Sequence, residues 1–443
     1  YCLELKSNLI NNFFKFFDLA YCFILICTEH FRLTDRLRIS QKIFTIILPF
    51  CGGYFLSYLF RSTNAVISPH LTNEFNFNAQ ELGMLTSAYL LAFAIFQIPL
   101  GILLDKYGAR KVQIILMIFA GLGSLMFCFS NNLLQLTLSR ALIGFGVAGC
   151  LMATFKIITI WFDKNSWPIL YGLCLSSGGL GAIVATKPLY FFVDSIGWRS
   201  AFMFLAFACF FVSFIIWFVT PEKESIKEKQ SPFIALKEIY SSKLFWRVAP
   251  LAGISGGTGL AIQGLWAGEW LRDVAELNQS ETTNMLLVLN LSLLAGMILT
   301  GFIPNFFKRF KFSQIDIYLY ITIILLIGHS LLTFEVIPKS TLPWILIGIS
   351  ANSAILAYSW LNSQFPISYA GRASTALNLS LFACGFILQY AIGWIINFWD
   401  RNPDNSYPSE AYFVAFVVLL ILQIICILIF LGLGPKRLVT HRK

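Results

Sequence analysis

The feature that most constrains this fold is a recurring run of apolar residues, each run long enough to cross a lipid bilayer. A spanning helix needs about 20 predominantly apolar residues, and segments of that length follow one another from residue 43 onward. Because hydrocarbon offers the backbone no hydrogen-bond partner, spanning segments must be helices or closed barrels. Only 12% of the residues are charged and 57% are apolar, whereas soluble domains carry about 25% charged residues. The sequence therefore predicts an all-α membrane protein.

Twelve spans are predicted, and a charged segment at 221–243 divides them into two sets of six. We therefore expect twelve transmembrane helices in two pseudo-symmetric six-helix bundles. The predicted spans are 43–70, 81–104, 113–130, 134–155, 167–190, 198–219, 246–271, 284–306, 315–334, 342–363, 372–397 and 410–432.

Two weak internal repeats support this division. GILLDKYGARK at 101–111 resembles GFIPNFFKRFK at 301–311, and LSRALIGFG at 138–146 resembles LPWILIGIS at 342–350. Both are shifted by about 200 residues, as two related halves predict.

We divide the chain into an N-terminal extension of undefined role (1–38), an N-terminal bundle (39–220), a cytoplasmic linker (221–245), a C-terminal bundle (246–434) and a basic cytoplasmic tail (435–443).

The net charge of +10 does not indicate nucleic-acid binding, because the basic residues recur at the ends of apolar segments. Their excess in one alternating set of loops predicts that both termini are cytoplasmic, in a bacterial inner membrane or an equivalent one. The ten cysteines form no CxxC pair, and the four histidines have no metal-ligand spacing. We therefore expect no cofactor, no metal and no enzymatic site.

The stretch QIPLGILLDKYGARKV at 97–112 concentrates charges directly after an apolar run. Gly101 lets a neighbouring helix approach, and Gly108 can adopt the positive φ of a tight turn. Asp105 lies at the membrane edge within reach of Arg110, with Lys111 beside it. We interpret these five residues as a polar latch that stabilises one packing of the two bundles; the alternative is that the charges only anchor a cytoplasmic loop.

The spacing Gly101, Asp105, Gly108, Arg110, Lys111 resembles the loop signature between the second and third helices of the major facilitator superfamily (MFS). That resemblance implies alternating access, with Asp105 and Arg110 in a charge network of the outward-open state. SRALIGFGVAG at 139–149 also resembles the family's fourth-helix motif, through Arg140 and Gly144. In the segment at 172–189, Lys187 precedes Pro188 where the drug-antiporter motif has Gly-Pro, which argues against drug antiport.

Ionisable side chains at membrane depth are costly, so each is a candidate for a cavity or pathway. The basic candidates are Arg61, Arg140, Lys187 and Lys156, with a structural pair or snorkelling as alternatives. For Lys156, at the cytoplasmic end of its span, anchoring is the favoured interpretation. Neutral polar residues can extend a polar path, although each can equally be a packing group. The candidate substrate-binding residues are Arg61, Arg140, Lys187, Tyr58, Gln263, Trp266, Tyr358 and Asn378.

Glu269 is the clearest acidic residue in a predicted span, and Arg272 lies three residues on, on the same helix face. Either the two form a structural pair or Glu269 carries a proton during transport. Arg140 is the second candidate for proton coupling.

The sequence predicts a monomeric secondary transporter in the lipid bilayer, moving a small organic anion or amphoteric metabolite with protons. The chain has no nucleotide-binding loop, because no Lys-Ser or Lys-Thr follows Gly256, Gly257 and Gly259. The alternatives are proton-driven multidrug or siderophore efflux and, from another class, a non-transporting membrane receptor or scaffold.

Overall fold

A computed structural model describes residues 41–163, 166–222, 232–308, 312–365, 370–403 and 405–432. The predicted extension 1–38, the tail 435–443 and the centre of the linker lie outside the described residues. We call the described residues up to Glu222 the N-terminal half and those from Pro232 the C-terminal half.

The N-terminal half consists of helices joined by short turns. A π-helical turn (Ile43–Ile47) leads into the first of them. The helices are α1 (Leu48–Ser62), α2 (Asn64–Phe75), α3 (Ala79–Tyr107), α4 (Ala109–Cys128), α5 (Leu133–Val147), α6 (Cys150–Trp161), α7 (Trp167–Val184) and α8 (Lys187–Val219).

The C-terminal half repeats this pattern, and its first long helix is interrupted by a π-helical turn (Ile262–Trp266). The helices are α9 (Pro232–Ser241), α10 (Lys243–Ala261), α11 (Ala267–Asp273), α12 (Gln279–Lys308), α13 (Gln314–Thr333), α14 (Leu342–Ser350), α15 (Ala354–Ser363), α16 (Ala370–Ile396) and α17 (Ser409–Gly432).

Ten helical stretches among the described residues are long and apolar enough to cross a membrane. The predicted spans 167–190 and 246–271 are not among them. The first is broken after Val184, where Pro188 cannot donate a backbone hydrogen bond to α7. The second is rich in glycine and polar residues. The all-helical fold is confirmed, and the count of twelve spans stays a prediction.

Two turns with the same backbone geometry lie at opposite ends of the N-terminal half. Gly108, between α3 and α4, has φ +81° and ψ 156°, and Gly197, within α8, has φ +79° and ψ 156°. The predicted positive φ at Gly108 is therefore confirmed. An arginine follows each turn by two residues, and its guanidinium donates to a helix-end carbonyl: Arg110 to Trp217 O and Arg199 to Ser130 O.

The two halves also repeat a close helix contact. A Cβ built on Gly144 of α5 would overlap the Tyr89 carbonyl oxygen of α3. A Cβ built on Gly348 of α14 would overlap the Leu289 carbonyl oxygen of α12. The two contacts are about 200 residues apart, as the repeat in the sequence predicts, so equivalent helices cross in equivalent ways.

Helices α3 and α16 lie along each other and form the longest contact between the halves. The rings of Phe93 and Phe382 stack there with centroids 3.9 Å apart. On the other side of the molecule, α7 packs against α12, where Gly179 faces Leu294. The candidate site lies between these two contacts.

Candidate functional site

A small cavity lies between the halves, at the level where α1, α3 and α5 meet α10 and α16. Both halves contribute to its wall, and Arg61 and Arg140 are its charged members. The lining residues are Arg61, Thr86, Tyr89, Leu90, Arg140, Leu260, Gly264 and Gln389.

Arg61 is enclosed by aromatic rings. Its guanidinium carbon lies 4.2 Å from the ring centre of Tyr58, 5.0 Å from that of Phe382 and 5.8 Å from that of Phe93. Only 7% of the residue is exposed, and its Nε has no hydrogen-bond partner among the described residues. Stacking fixes the plane of the guanidinium, and Nε stays available to a ligand.

Arg140 is buried even more completely, with 1% exposure. One terminal nitrogen donates to the Phe60 carbonyl, 3.1 Å away, on the residue directly before Arg61. The rings of Tyr89 and Phe127 flank it at 5.8 Å, and its Nε has no partner among the described residues. The backbone of α1 therefore positions Arg140 beside Arg61.

Neither arginine has a carboxylate counter-ion in the described part of the chain. The ion pairs found there join Glu222 to Arg110 and Lys111, Glu74 to Arg199, and Glu269 to Arg272. A buried charge normally needs such a partner, because removing it from water costs several kcal/mol. Two uncompensated guanidiniums at one cavity are therefore suited to bind an anion.

Most of the other predicted substrate-binding residues are hydrogen-bonded to neighbouring polar groups of the protein. Tyr58 OH lies 3.5 Å from the Asn352 carboxamide oxygen of the other half. The remaining hydrogen bonds run from Tyr358 to Asn378 (2.9 Å), Asn378 to Gln97 (3.0 Å), Gln263 to Asn290 (2.7 Å) and Trp266 to the Gln389 carbonyl (3.1 Å). Apart from Gln389, none of these residues is among the residues that line the cavity. The link from Asn378 to Gln97 joins the two halves.

Lys187 does not line the cavity. It begins α8, is partly exposed, and donates to the Asn284 carboxamide oxygen at 2.9 Å. Because Asn284 lies on α12, Lys187 links the two halves on the side where α7 and α12 pack.

The predicted pair of Glu269 and Arg272 is present, with 2.8 Å between Oε1 and a terminal nitrogen. Arg272 also donates to Ser68 Oγ at 2.9 Å, and Gln279 donates to the Val66 carbonyl at 3.2 Å. Ser68 and Val66 belong to α2, so these bonds cross between the halves. We call Ser68, Glu269, Arg272 and Gln279 the gate cluster. It lies on the face of the bundle opposite the linker, which we call the gate face.

Asp273, next to the gate cluster, accepts from Tyr412 OH at 2.7 Å and from the Tyr407 backbone N–H at 3.1 Å. It follows the predicted span 246–271 by two residues. Burial, together with the charge of Glu269, raises the pKa of this carboxyl to about 6.

The loop latch is present only in part. Arg110 and Lys111 both pair with Glu222, which follows α8, and the hydrogen bond from Lys111 lowers the pKa of Glu222. The Asp105 side chain lies outside the described residues. A Cβ on Gly101 would meet no atom of the described residues within 4 Å, so no described helix approaches Gly101 in this conformation and the predicted close contact is not found among these residues.

Sequence reasoning missed several groups that shape this site. Tyr89, Phe93 and Phe382 could not be singled out in a chain with 44 phenylalanines and 16 tyrosines. Glu222 lies in a linker of mixed charge, where no spacing marks it. Asp273 carries a signal, since it is acidic and close to Glu269 at the end of a predicted span.

Two helical halves around a buried cavity, with ten described stretches able to cross a membrane, define an integral membrane fold rather than a soluble one. A sequence model of the Major Facilitator Superfamily matches residues 50–389. The chain therefore belongs to this superfamily and is a transporter, not an enzyme.

Curated relatives are transporters as well. The chain is 28% identical over 173 residues to the probable sulfoacetate transporter SauU of Cupriavidus necator, across 39% of this chain and 40% of that protein. It is 24% identical over 403 residues to the uncharacterized transporter YybO of Bacillus subtilis, across 83% and 90%. Identity to the probable L-galactonate transporter of Escherichia coli is 24% over 294 residues, across 62% and 64%.

Solved structures share the fold at low sequence identity. A bacterial homolog of the human lysosomal transporter Spinster, inward-facing and unoccupied, superposes with a TM-score of 0.70 at 18% identity, covering 88% of this chain and 96% of that one. The D-xylose-proton symporter gives 0.68 at 13% identity, covering 89% and 98%.

Proposed function

We propose that this transporter moves a small organic anion across the membrane by alternating access, and that Arg61 and Arg140 bind the anion. One observation carries the proposal. Both guanidiniums are buried at a single cavity between the halves, and neither contacts a carboxylate of the described residues. The substrate would supply the missing negative charge.

The geometry favours a carboxylate or sulfonate. A guanidinium can bind two oxygens of such a group through parallel hydrogen bonds, and stacking on Tyr58 and Phe382 holds Arg61 in one plane. Relatives are named as transporters of sulfoacetate, L-galactonate and hexuronate, all of which are organic acids. An amphoteric metabolite with a carboxylate fits the same requirement.

The same charges disfavour the efflux of cationic drugs, because two uncompensated guanidiniums repel a cation. Proton coupling stays a prediction of the sequence. Of its two candidates, Arg140 lines the cavity, and Glu269 is paired with Arg272 in the gate cluster.

We further propose a monomer in a bacterial inner membrane or an equivalent one, with both termini cytoplasmic. The excess of basic residues in one set of loops supports this orientation. The linker face would then be cytoplasmic and the gate face external.

Thermal-shift measurements on the purified protein would test the anion site. Galactonate, glucuronate and sulfoacetate are the probes, and neutral galactose is the matched control for galactonate. We expect at least one acid, and not galactose, to raise the melting temperature. In Arg61→Gln and Arg140→Gln the affinity should fall about 10- to 100-fold, because a hydrogen bond to a charged group contributes about 1.5–3 kcal/mol.

Arg199→Gln is the control variant, since Arg199 pairs with Glu74 far from the cavity, and its affinity should match that of the wild type. Equal shifts from galactose and galactonate, or unchanged affinity in both cavity variants, would refute the anion site.

A further inference from the structure

The distribution of acidic residues bears on how this transporter is driven, given the anion site proposed above. Inside the predicted spans, every carboxylate lies within two residues of a span end: Glu81, Glu269, Asp316 and Glu410. Arg61 and Arg140, by contrast, are buried and line the cavity. The middle of the membrane therefore carries two positive charges and no acidic side chain.

Nothing in the described part of the chain can neutralise these charges. Arg61 faces the rings of Tyr58, Phe93 and Phe382, and Arg140 faces a backbone carbonyl and two further rings. Arginine does not release its proton in proteins. Without a bound anion, the cavity keeps a charge of about +2 throughout the cycle.

Alternating access requires a state in which the cavity is closed to water on both sides. Closing it around two uncompensated charges is costly, because buried ions lose their hydration. A bound organic anion supplies the compensating charge and lowers that cost. The two halves should therefore change conformation much faster with an anion bound than without one.

We infer that this protein is an anion exchanger: it carries one organic anion inward for each organic anion it carries outward, and net movement of a single anion is slow. The inference rests on the proposed function, because it requires an anion at the two arginines. When the two exchanged anions carry equal charge, each turnover is electrically balanced.

Proton symport is the competing mechanism, and it needs a group in the pathway that titrates near neutral pH. Among the described lining residues there is no Asp, Glu or His. Glu269 forms an ion pair with Arg272 in the gate cluster, and the nearby Asp273 is hydrogen-bonded to Tyr412 and to the backbone of Tyr407. Neither carboxylate contacts the two arginines.

Uptake into proteoliposomes containing the full chain distinguishes the two mechanisms. Labelled galactonate is offered outside, or labelled sulfoacetate if it gives the larger thermal shift. The vesicles contain either the same unlabelled acid or only a buffer of large zwitterions. Each preparation is measured with and without an inside-alkaline pH gradient, and with and without a protonophore.

We expect uptake into anion-loaded vesicles to exceed uptake into unloaded ones by at least about tenfold, which corresponds to about 1.4 kcal/mol in the barrier. A protonophore should leave this rate unchanged. Uptake into unloaded vesicles that follows the pH gradient and disappears with the protonophore would overturn exchange in favour of proton symport. Absence of uptake in every arm, together with absence of a thermal shift, would refute the anion site itself.

A substitution tests the charge argument directly. Gln389→Glu places a carboxylate on the cavity wall with almost no change in shape, and Gln389→Met is the neutral control. We expect Gln389→Glu to reduce the dependence on internal anion at least severalfold, because the new carboxylate compensates a guanidinium in the unloaded protein.

Gln389→Met should keep the wild-type dependence. Thr86→Asp offers a second position on the same wall if Gln389→Glu fails to fold. Folded carboxylate variants that still require internal anion would overturn the inference.

Discussion

At Gly144 the backbone of α5 lies directly against the Tyr89 carbonyl of α3, with no room for a side chain. Tyr89 lines the cavity, and Arg140 lies one helical turn before Gly144. Because Gly144 has no Cβ, α5 can pack directly against α3. This close packing sets the distance between the two helices that carry Arg140 and Tyr89. The fourth-helix motif of the sequence marks this position, and the structure gives the physical reason for it.

We expect Gly144→Ala to lower the melting temperature of the purified protein by several degrees, because overpacking a tight contact costs about 1–3 kcal/mol. Gly172→Ala is the matched control. Gly172 also lies within a helix, and a Cβ there would meet no atom within 4 Å in the described part of the chain. Its melting temperature should stay the same or rise, since alanine favours a helix by about 0.5–1 kcal/mol. Equal destabilisation by both substitutions would contradict the close-contact explanation.

The residues found from sequence are those whose chemistry conflicts with their surroundings. Arg61 and Arg140 stand out because ionisable side chains are rare in apolar spans. Phe93 and Phe382 do not stand out, although they help to enclose Arg61. Their role depends on a contact between residues nearly 300 positions apart, and spacing within one helix cannot predict such a contact.

Among the elements, α2 illustrates how a proline leaves a backbone carbonyl available to a side chain of the other half. Pro69 has no backbone N–H, so the Ala65 carbonyl four residues earlier has no partner within the helix. Arg272 approaches this carbonyl at 3.5 Å and bonds more closely to Ser68. The gate cluster therefore uses backbone that the proline leaves unpaired.

Asp273, at the end of α11, gives a prediction about pH. Its pKa is about 6 in the folded protein, against a reference value of 3.8. The folded state therefore holds a proton that the unfolded chain releases between about pH 4 and pH 6. As the pH rises through this window the folded state loses stability from this group, and the loss is complete above about pH 6.

Asp273→Asn removes this titration and can still accept from Tyr412. We expect the melting temperature of the variant, relative to wild type, to rise progressively from pH 4 to pH 7. Asp194→Asn, which changes an exposed carboxylate on α8, serves as control and should follow the wild-type profile. Parallel pH profiles for wild type and Asp273→Asn would contradict the burial of a titrating carboxyl.

Most elements were predictable because a spanning helix has a fixed length and an apolar composition. The breaks within them were less so. The gap between α7 and α8 follows from Pro188. The sequence predicts a boundary between two spans near Gly197, but it does not predict that helix α8 continues across this turn without a loop. The π-helical turn at Ile262–Trp266 has no sequence signal that we recognise.

At the scale of the whole molecule, the gate cluster holds the two halves together on the gate face. We expect Arg272→Gln to shift the equilibrium toward opening of that face, because it removes the bond to Ser68 and the pairing with Glu269. Spin labels at Asn131 and Lys339, exposed positions of the two halves, report the distance across it. The labels require a background in which the ten native cysteines are replaced.

The fraction of long distances should increase in Arg272→Gln. Arg199→Gln breaks an ion pair within one half and should leave the distribution unchanged. An unchanged distribution in Arg272→Gln would show that other contacts keep the face closed.

The overall architecture followed from composition, the charged linker and a shift of about 200 residues between repeats. The site followed only in part, because it requires knowing which helices of opposite halves face each other. The contact between α3 and α16 brings Gln97 to Asn378, and no pattern in either segment identifies the other.

The matching turns at Gly108 and Gly197 have a mechanical consequence. Each is followed by an arginine that donates to a carbonyl at the far end of the other helix: Arg110 to Trp217 in the last turn of α8, and Arg199 to Ser130, two residues after α4. Helix α4 and the second part of α8 are therefore bonded to each other at both ends. The two hydrogen bonds occupy equivalent positions at opposite ends of this helix pair, and neither involves the C-terminal half. Whichever side of the membrane the pathway opens to, these bonds need not break, so we expect α4 and the second part of α8 to move together as one rigid unit.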